Sequence, residues 1–513
     1  MLSKVLSASV YGIDAYIVTV EVDLSRGVPM FTIVGLPDTA VKESEHRVQA
    51  AIKNSGFSFP LRRITVNLAP ADIKKEGPSF DLPIAIGILA AAGEITANLN
   101  NFLILGELSL DGTTRPVKGV IAMALTCKDK DLKGIILPKG NGEEAAIVGT
   151  VPVFACENLV EVVQLLNNQK AIEPTKANLE TIFRDVSEYS VDFSEVKGQE
   201  HAKRALEVAV AGGHNILMIG PPGSGKTMLA RRLPTILPKM ELAEALETTK
   251  IHSVAGTLPP NQPLIGTRPF RAPHHSATEA SLIGGGQYPK PGDVSLAHNG
   301  VLFLDELPEF HRDTLEALRQ PLEDGYVTIG RAKMTLTYPA RFTLAASMNP
   351  CPCGFYSDPN HECSCTPYQI MKYRTKISGP LLDRIDIHIE VPALKYEELA
   401  RKELGEPSAA IRERVNKARA LQLARFKTLK RKKPIFCNGQ METKEIKKFC
   451  EISEECAKLL KQAIDHFGLS ARAYDRILKV ARTIADLEGS GDIRPVHIAE
   501  AIQYRSLDRN LWQ

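Results

Sequence analysis

The order of apolar and polar positions divides the chain into three stretches of different character. In the first, residues 15–23 (AYIVTVEVD) alternate in the manner of a half-buried strand, and 63–68 and 134–137 also read as strands. Residues 42–55 carry the spacing of an amphipathic helix. Mixed strands and helices therefore fill residues 1–166, and the polar, mostly aperiodic run 167–192 reads as a linker. From 193 to 392 strands and helices alternate, the pattern of an α/β domain over a parallel sheet. Beyond 393 strand signals nearly vanish, and helices are expected over 409–429, 443–467, 470–488 and 495–504, an all-helical lid.

Composition narrows the class without naming it. The 513 residues are 44% hydrophobic and 24% charged, ordinary values for a globular chain of about three domains. A net charge of +3 is too small to argue for nucleic acid by itself, so local patches must carry that case. The apolar run 82–93 (LPIAIGILAAAG) is too short to span a bilayer, and the first residues lack the apolar segment of a secretory signal. Nine cysteines, an odd number with five scattered, fit a reducing compartment, and the cytoplasm with no membrane association is expected.

Four motifs carry chemistry. The apolar strand 215–219 (NILMI) runs into Gly220, Pro221, Pro222, Gly223, Ser224, Gly225, Lys226 and Thr227, followed by a helical pattern. Glycines let a backbone wrap phosphates, and the amides at a helix start supply positive potential. In this strand–loop–helix setting Lys226 is placed to reach the β- and γ-phosphates of ATP, and Thr227 to offer its hydroxyl to Mg²⁺. Four apolar residues at 301–304 (VLFL) then end on Asp305 and Glu306. Carboxyl ends of strands are where open α/β sheets bind ligands. Asp305 can hold Mg²⁺ there, and Glu306 can polarise an attacking water. A third strand (343–348) leads to Asn349, which can position that water. A fourth segment, GPLLDRID (379–386), presents Arg384, which reads either as an arginine finger or as a surface arginine paired with Asp383 or Asp386.

These motifs are similar to those of the magnesium-chelatase-like branch of AAA+ proteins. More narrowly, 11–56, 270–286 (FRAPHHSATEASLIGGG), 291–310 (PGDVSLAHNGVLFLDELPEF) and 377–392 (ISGPLLDRIDIHIEVP) resemble the ComM (YifB) family along essentially the whole chain. The resemblance implies a Lon-protease-like (ribosomal S5-like) N-terminal domain, a P-loop AAA+ core at 193–392 and a helical lid at 393–513. It further implies a homohexameric, ATP-dependent DNA helicase that promotes branch migration when incoming DNA is integrated during natural transformation, with single-stranded and branched DNA as partners. By motif, Lys226 and Thr227 become Walker A, Asp305 and Glu306 Walker B, Asn349 sensor 1 and Arg384 the finger. Arg472 is the choice for sensor 2, and Arg476, one helical turn away, is the alternative. A finger that serves a neighbour's ATP requires a head-to-tail interface, which closes into a ring when the rotation allows. A protein remodeller resembling the chelatase motor would need the same site and remains the second reading.

Three further features stay open on sequence grounds. Residues 256–292 read as an extra Gly/Pro-rich loop before Walker B, and 327–336 as a hairpin with Gly330 near its tip; Arg271, Arg331 and Lys333 are the candidate DNA contacts. The basic run 430–433 is a weaker one. Cys351, Cys353, Cys363 and Cys365 either close a structural Zn²⁺ site or remain reduced or redox-paired thiols. In the N-terminal block Glu76–Ser79 and 106–112 resemble the Lon proteolytic fold, with Ser79 as the nucleophile. Met123 stands where the activating lysine belongs, and Lys118 is several residues early, so peptidase activity is not expected.

Overall fold

The computed structural model describes residues 1–75, 77–128, 130, 132–177, 189–259, 262–286, 289–331, 334–356, 358, 361–393, 404–429, 431, 434–468 and 470–507, with the side chains of 331 and 334 excepted. The chain forms two compact units: residues 1–186 with 242–266, and residues 187–241 with 267–513.

In the first unit, strands β1 (Leu2–Tyr11), β2 (Asp14–Ser25), β3 (Met30–Val34), β4 (Arg63–Ala69), β5 (Phe102–Ile104), β6 (Gly134–Pro138) and β7 (Val153–Cys156) form one mixed sheet in the order β3-β4-β2-β1-β5-β6-β7. Alternation does what it predicts: in β2, Val18, Val20, Val22 and Leu24 point into the core. The apolar run near residue 82 is the helix Asp81–Ala92, ten of whose residues are buried, so its hydrophobicity reflects a core position. Among the described residues no helix is long and apolar enough to cross a membrane. Residues 167–177 do not hang free as a linker: Asn167 Nδ2 donates to Glu94 O (2.8 Å) and Thr175 N–H to Val153 O (2.8 Å). Residues 178–188 lie outside the described set.

The second unit is built on β8 (Ile216–Ile219), β9 (Phe270–Arg271), β10 (Val301–Leu304), the hairpin β11 (Tyr326–Arg331) and β12 (Met334–Pro339), β13 (Thr343–Met348) and β14 (Ile387–Glu390). The main sheet, β9-β10-β13-β8-β14, is wholly parallel. Two of its central strands, β8 and β10, are buried end to end and read as unbroken apolar runs, and β13 is buried beyond Thr343. The C-terminal helices Ser408–Lys427, Thr443–Phe449, Glu454–Phe467, Ala471–Leu487 and Pro495–Gln503 share one hydrophobic core with helices Glu200–Gly212 and Lys226–Ile236.

Three readings change. The expected single helix over 443–467 is two helices, because the Ser453 side chain accepts the Cys456 N–H (3.3 Å) and starts a new one. The interval 193–392 is not one uninterrupted core. Helix Leu242–Ala255 belongs to the first unit, where Ser253 donates to Glu144 and accepts the Gly119 N–H (3.0 Å). The segment 256–292 is likewise not a single loop, since Phe270 and Arg271 pair with Val301 and Leu302 as an edge strand.

Within the helical region, buried Asp486 accepts from Asn438 Nδ2 (2.8 Å), Arg425 Nη1 (3.0 Å) and Arg482 Nε (3.1 Å). Asp486→Ala strands the buried Arg482 cation and should cost about 3–5 kcal/mol. A thermal melt of the full chain followed by circular dichroism should show the helical transition move down by several degrees; an unchanged melt would refute this account of the network.

Candidate functional site

Parallel register brings three sequence motifs to one edge. β8 aligns Ile219 with Met348 of β13, and β13 aligns Ala346 with Leu304 of β10. The residues that follow each strand, from Gly220, Asp305 and Asn349 onward, therefore emerge side by side. Gly220 is required there: its N–H donates to Met348 O (3.2 Å), and a Cβ would stand 2.1 Å from Val391 O.

Lys226 opens the helix after the loop and is buried. Its ammonium donates to the carbonyls of Gly220 (2.8 Å) and Pro221 (2.9 Å) and to Asn349 Oδ1 (3.2 Å). Burial pushes its pKa down to about 8, against the opposing pull of Asp305 and Glu306. Thr227 Oγ1 donates to Asp305 Oδ2 (2.6 Å), and Ser347 grips the other carboxylate oxygen. Lys226, Thr227, Asp305 and Asn349 thus form one connected cluster. Ser347 was not foreseen; its only signal is a hydroxyl one residue from the end of a mostly apolar strand.

Glu306 takes a left-handed backbone conformation (φ 53°), uncommon for a residue with a Cβ, and its side chain is exposed. Its carboxylate lies 3.4 Å from His275 Nδ1, and His275 packs against the His274 ring at 4.0 Å between centroids. The histidine pair therefore sits on Walker B rather than in a free loop.

The arginines form a second group. Arg384 is buried, donates to Pro380 O and binds Glu323. The Arg384 hydrogen bond holds the Glu323 carboxyl below its usual range, with Arg472 and Arg319 adding to the effect. Arg476 binds Asp386. Burial alone would raise the Asp386 pKa, but the Arg476 charge and the His214 contact hold it far below the ordinary carboxylate range. Asp386 Oδ2 also accepts the Asn215 N–H (3.0 Å), and Asn215 Nδ2 donates to Arg384 O (2.8 Å). Asn215 precedes β8 and Gly220 follows it. At roughly 3.3 Å per residue the two ends are separated by about 16 Å. Within one chain, then, Arg384 and Arg476 are anchored at the opposite end of the strands from the phosphate loop.

Of the candidate DNA contacts, Arg271 is an ion-paired residue of the edge strand, with Nε (2.9 Å) and Nη2 (2.6 Å) both on Asp293 Oδ1. This corrects its reading as a loop cation. The hairpin is present in the expected register, Ile329 opposite Leu336. Lys333 and the Arg331 side chain lie outside the described set, as do 430, 432 and 433, while Arg431 pairs with Glu442 (2.7 Å).

Comparison with known proteins agrees with this geometry. The family described as Magnesium chelatase, subunit ChlI matches residues 192–399; Subunit ChlI of Mg-chelatase matches 20–141, and its C-terminal family 405–505. Competence protein ComM of Haemophilus influenzae is 47% identical over 99% of this chain and 98% of its own length. YifB of Escherichia coli is 45% identical over the same shares. The chain belongs to the ComM (YifB) family. Lon protease 2 of Bacillus subtilis is 31% identical over 148 residues, 27% of this chain and 26% of its own.

Membership in this magnesium-chelatase-like AAA+ ATPase family implies ATP and Mg²⁺, and the donor set fits both. A buried ammonium and a loop of backbone amides suit phosphates, and a hydroxyl beside a carboxylate suits a hard cation. The N-terminal unit is the part of the chain with Lon-like character. Met123 is packed in an apolar cluster with Val120 and Cys127, Lys118 Nζ lies where a Cβ on Gly256 would be 2.7 Å away, and Glu76 is outside the described residues.

Because phosphates favour protonated Lys226, nucleotide affinity should be constant below pH 8 and fall above it by up to about tenfold per pH unit. Fluorescent-nucleotide titrations from pH 6.5 to 9.5 would reveal this; an affinity flat across the range contradicts the lowered pKa.

Proposed function

We propose that the protein is an ATP-dependent DNA translocase that works as a homohexameric ring and promotes branch migration during homologous recombination of incoming DNA. The observation that carries the ring is the division of the site. The phosphate cluster of Lys226, Thr227, Asp305 and Asn349 follows the strands, whereas Arg384 and Arg476 are tied, through Asn215 and Asp386, to the start of β8. One chain's arginines complete a neighbour's cluster in a head-to-tail assembly. In this reading residues 1–166 are the Lon-like domain without peptidase activity, 193–392 the motor with helix Leu242–Ala255 given over to the N-terminal unit, and 393–513 the lid.

The roles follow from position. Lys226 and the amides of 220–227 hold the triphosphate. Thr227 and Asp305 would hold Mg²⁺, which neutralises charge developing on the transferred phosphoryl group. Glu306, exposed next to Asp305, activates water; Asn349, bonded to Lys226, fixes where that water sits. Arg384 exchanges Glu323 for the neighbour's γ-phosphate. Arg472 and Arg476 follow it as sensor 2 candidates across the interface.

The DNA assignment rests on the β11–β12 hairpin and on the name of the H. influenzae relative, a competence protein. Backbone contact from such a hairpin suits a motor that must act on any sequence. The match of three ChlI families to this chain favours a second reading, a remodeller of a protein partner, and its ATPase site would be the same.

Steady-state ATP hydrolysis with single-stranded, duplex and branched DNA at two salt concentrations separates them. The translocase reading predicts stimulation, strongest on branched DNA and weakened by salt, and loss of all turnover in Lys226→Ala. Robust hydrolysis that no DNA alters would favour the remodeller.

A further inference from the structure

The four-cysteine loop stands directly after Asn349 and has no part in the chemistry above. Its geometry is that of a closed ion site. Cys351 Sγ lies 3.3 Å from Cys353 Sγ and 3.7 Å from Cys363 Sγ, and Cys353 Sγ lies 3.6 Å from Cys363 Sγ. All four sulfurs fall within 4.8 Å of one another, and none is in a disulfide. A tetrahedral ion with Zn–S bonds of about 2.3 Å sets its sulfurs about 3.8 Å apart, which matches this spacing. A multi-iron cluster would hold them farther apart, since each sulfur would bind a different iron. Two backbone amides already point at sulfur: Tyr356 N–H at Cys351 Sγ (3.3 Å) and Cys353 N–H at Cys365 Sγ (3.3 Å). Such donors stabilise the thiolates a metal requires and fix their directions. Four thiolates on one dication leave net negative charge, and buried Arg374 brings a cation to this loop: its Nε donates to Pro350 O (3.1 Å), and its guanidinium lies 5.0 Å above the Tyr356 ring.

The loop also touches the nucleotide site at two places. Gly354 has φ +89°, and a Cβ on it would stand 2.5 Å from Pro222 Cδ in the phosphate loop. Asn349, which bonds Lys226, is two residues before Cys351, and its backbone N–H meets the Tyr373 hydroxyl on the helix Pro367–Arg374 that follows Cys365. The ligand pairs therefore lie at the two ends of the loop: one continues from Asn349, the other leads into the helix that carries Tyr373 and Arg374.

We propose that Cys351, Cys353, Cys363 and Cys365 bind one structural zinc ion, and that the zinc loop is a positioning element that holds Pro222 and Asn349 for ATP. The zinc claim is independent of the motor reading; the positioning claim rests on it. Because the ion would tie together two segments that frame the phosphate loop, losing it should weaken ATP binding more than it slows turnover of bound ATP.

The test uses the full chain, purified from zinc-supplemented culture under reducing conditions. Elemental analysis should find about one zinc per chain, released stoichiometrically by a mercurial and reduced at least tenfold in the double variant C351S/C363S. Iron in place of zinc would overturn the assignment, as would a metal-free protein whose four thiols react at once with Ellman's reagent. Gly354→Ala should retain zinc while raising KM for ATP by about tenfold, a shift of 1.4 kcal/mol, with kcat changed much less. Mercurial removal of zinc from the wild type should produce the same split, and thiol plus zinc should reverse it. Zinc present but KM unmoved in both experiments would overturn the positioning role. Because metal content is read without ATP, failure of the zinc assignment is distinct from failure of the motor.

Discussion

Everything at the nucleotide site depends on the parallel register of three buried strands. β8, β13 and β10 align so that Gly220, Asn349 and Asp305 leave the sheet along one edge. The strands are four to six residues long and almost wholly apolar, so burial fixes their faces and the ladder fixes their ends. A slip of one position would separate Thr227 from Asp305 and Lys226 from Asn349 together. The short hydrogen-bonded chain from Lys226 to Asn349 on one side, and from Thr227 through Asp305 to Ser347 on the other, is a consequence of that alignment.

The same strands account for what one chain lacks. Asn215, at the other end of β8, is tied to Asp386 and to the Arg384 carbonyl, so these residues are held by the frame that holds the phosphate loop. Rigid strands cannot bend to unite the two groups. The proposed head-to-tail assembly would unite them through a neighbour's arginines and so make nucleotide hydrolysis a property of an interface. Arg384 is paired with Glu323, so in the proposed assembly its insertion into a neighbour's site would have to break that pair.

How much of this the sequence revealed depends on whether function lay in contiguous residues. The phosphate loop and Walker B were legible because strand, turn and catalytic group follow one another within a dozen positions. Strand β2 and the lid helices were legible because burial imposes a period. Ser347, the His275–Glu306 contact and the Glu323 partner of Arg384 were not, since each joins residues 31–61 positions apart through tertiary packing. The departure of helix Leu242–Ala255 into the first unit was hidden for the same reason: its buried face shows that it packs, not on what. Arg271 misled because a Gly/Pro-rich surrounding concealed a two-residue edge strand.

The central claim, that one protomer holds ATP and the next supplies the arginine that fires it, is tested most directly by mixing subunits. Lys226→Ala and Arg384→Ala should each be inactive alone, the first through failure to bind nucleotide and the second by a loss of about 10³-fold or more with binding retained. Combined, they form interfaces that pair an intact phosphate loop with an intact arginine, and a fraction of wild-type hydrolysis should return. If the mixture assembles yet stays as inactive as its two parents, or if Arg384→Ala alone keeps near-normal turnover, the divided-site account is wrong.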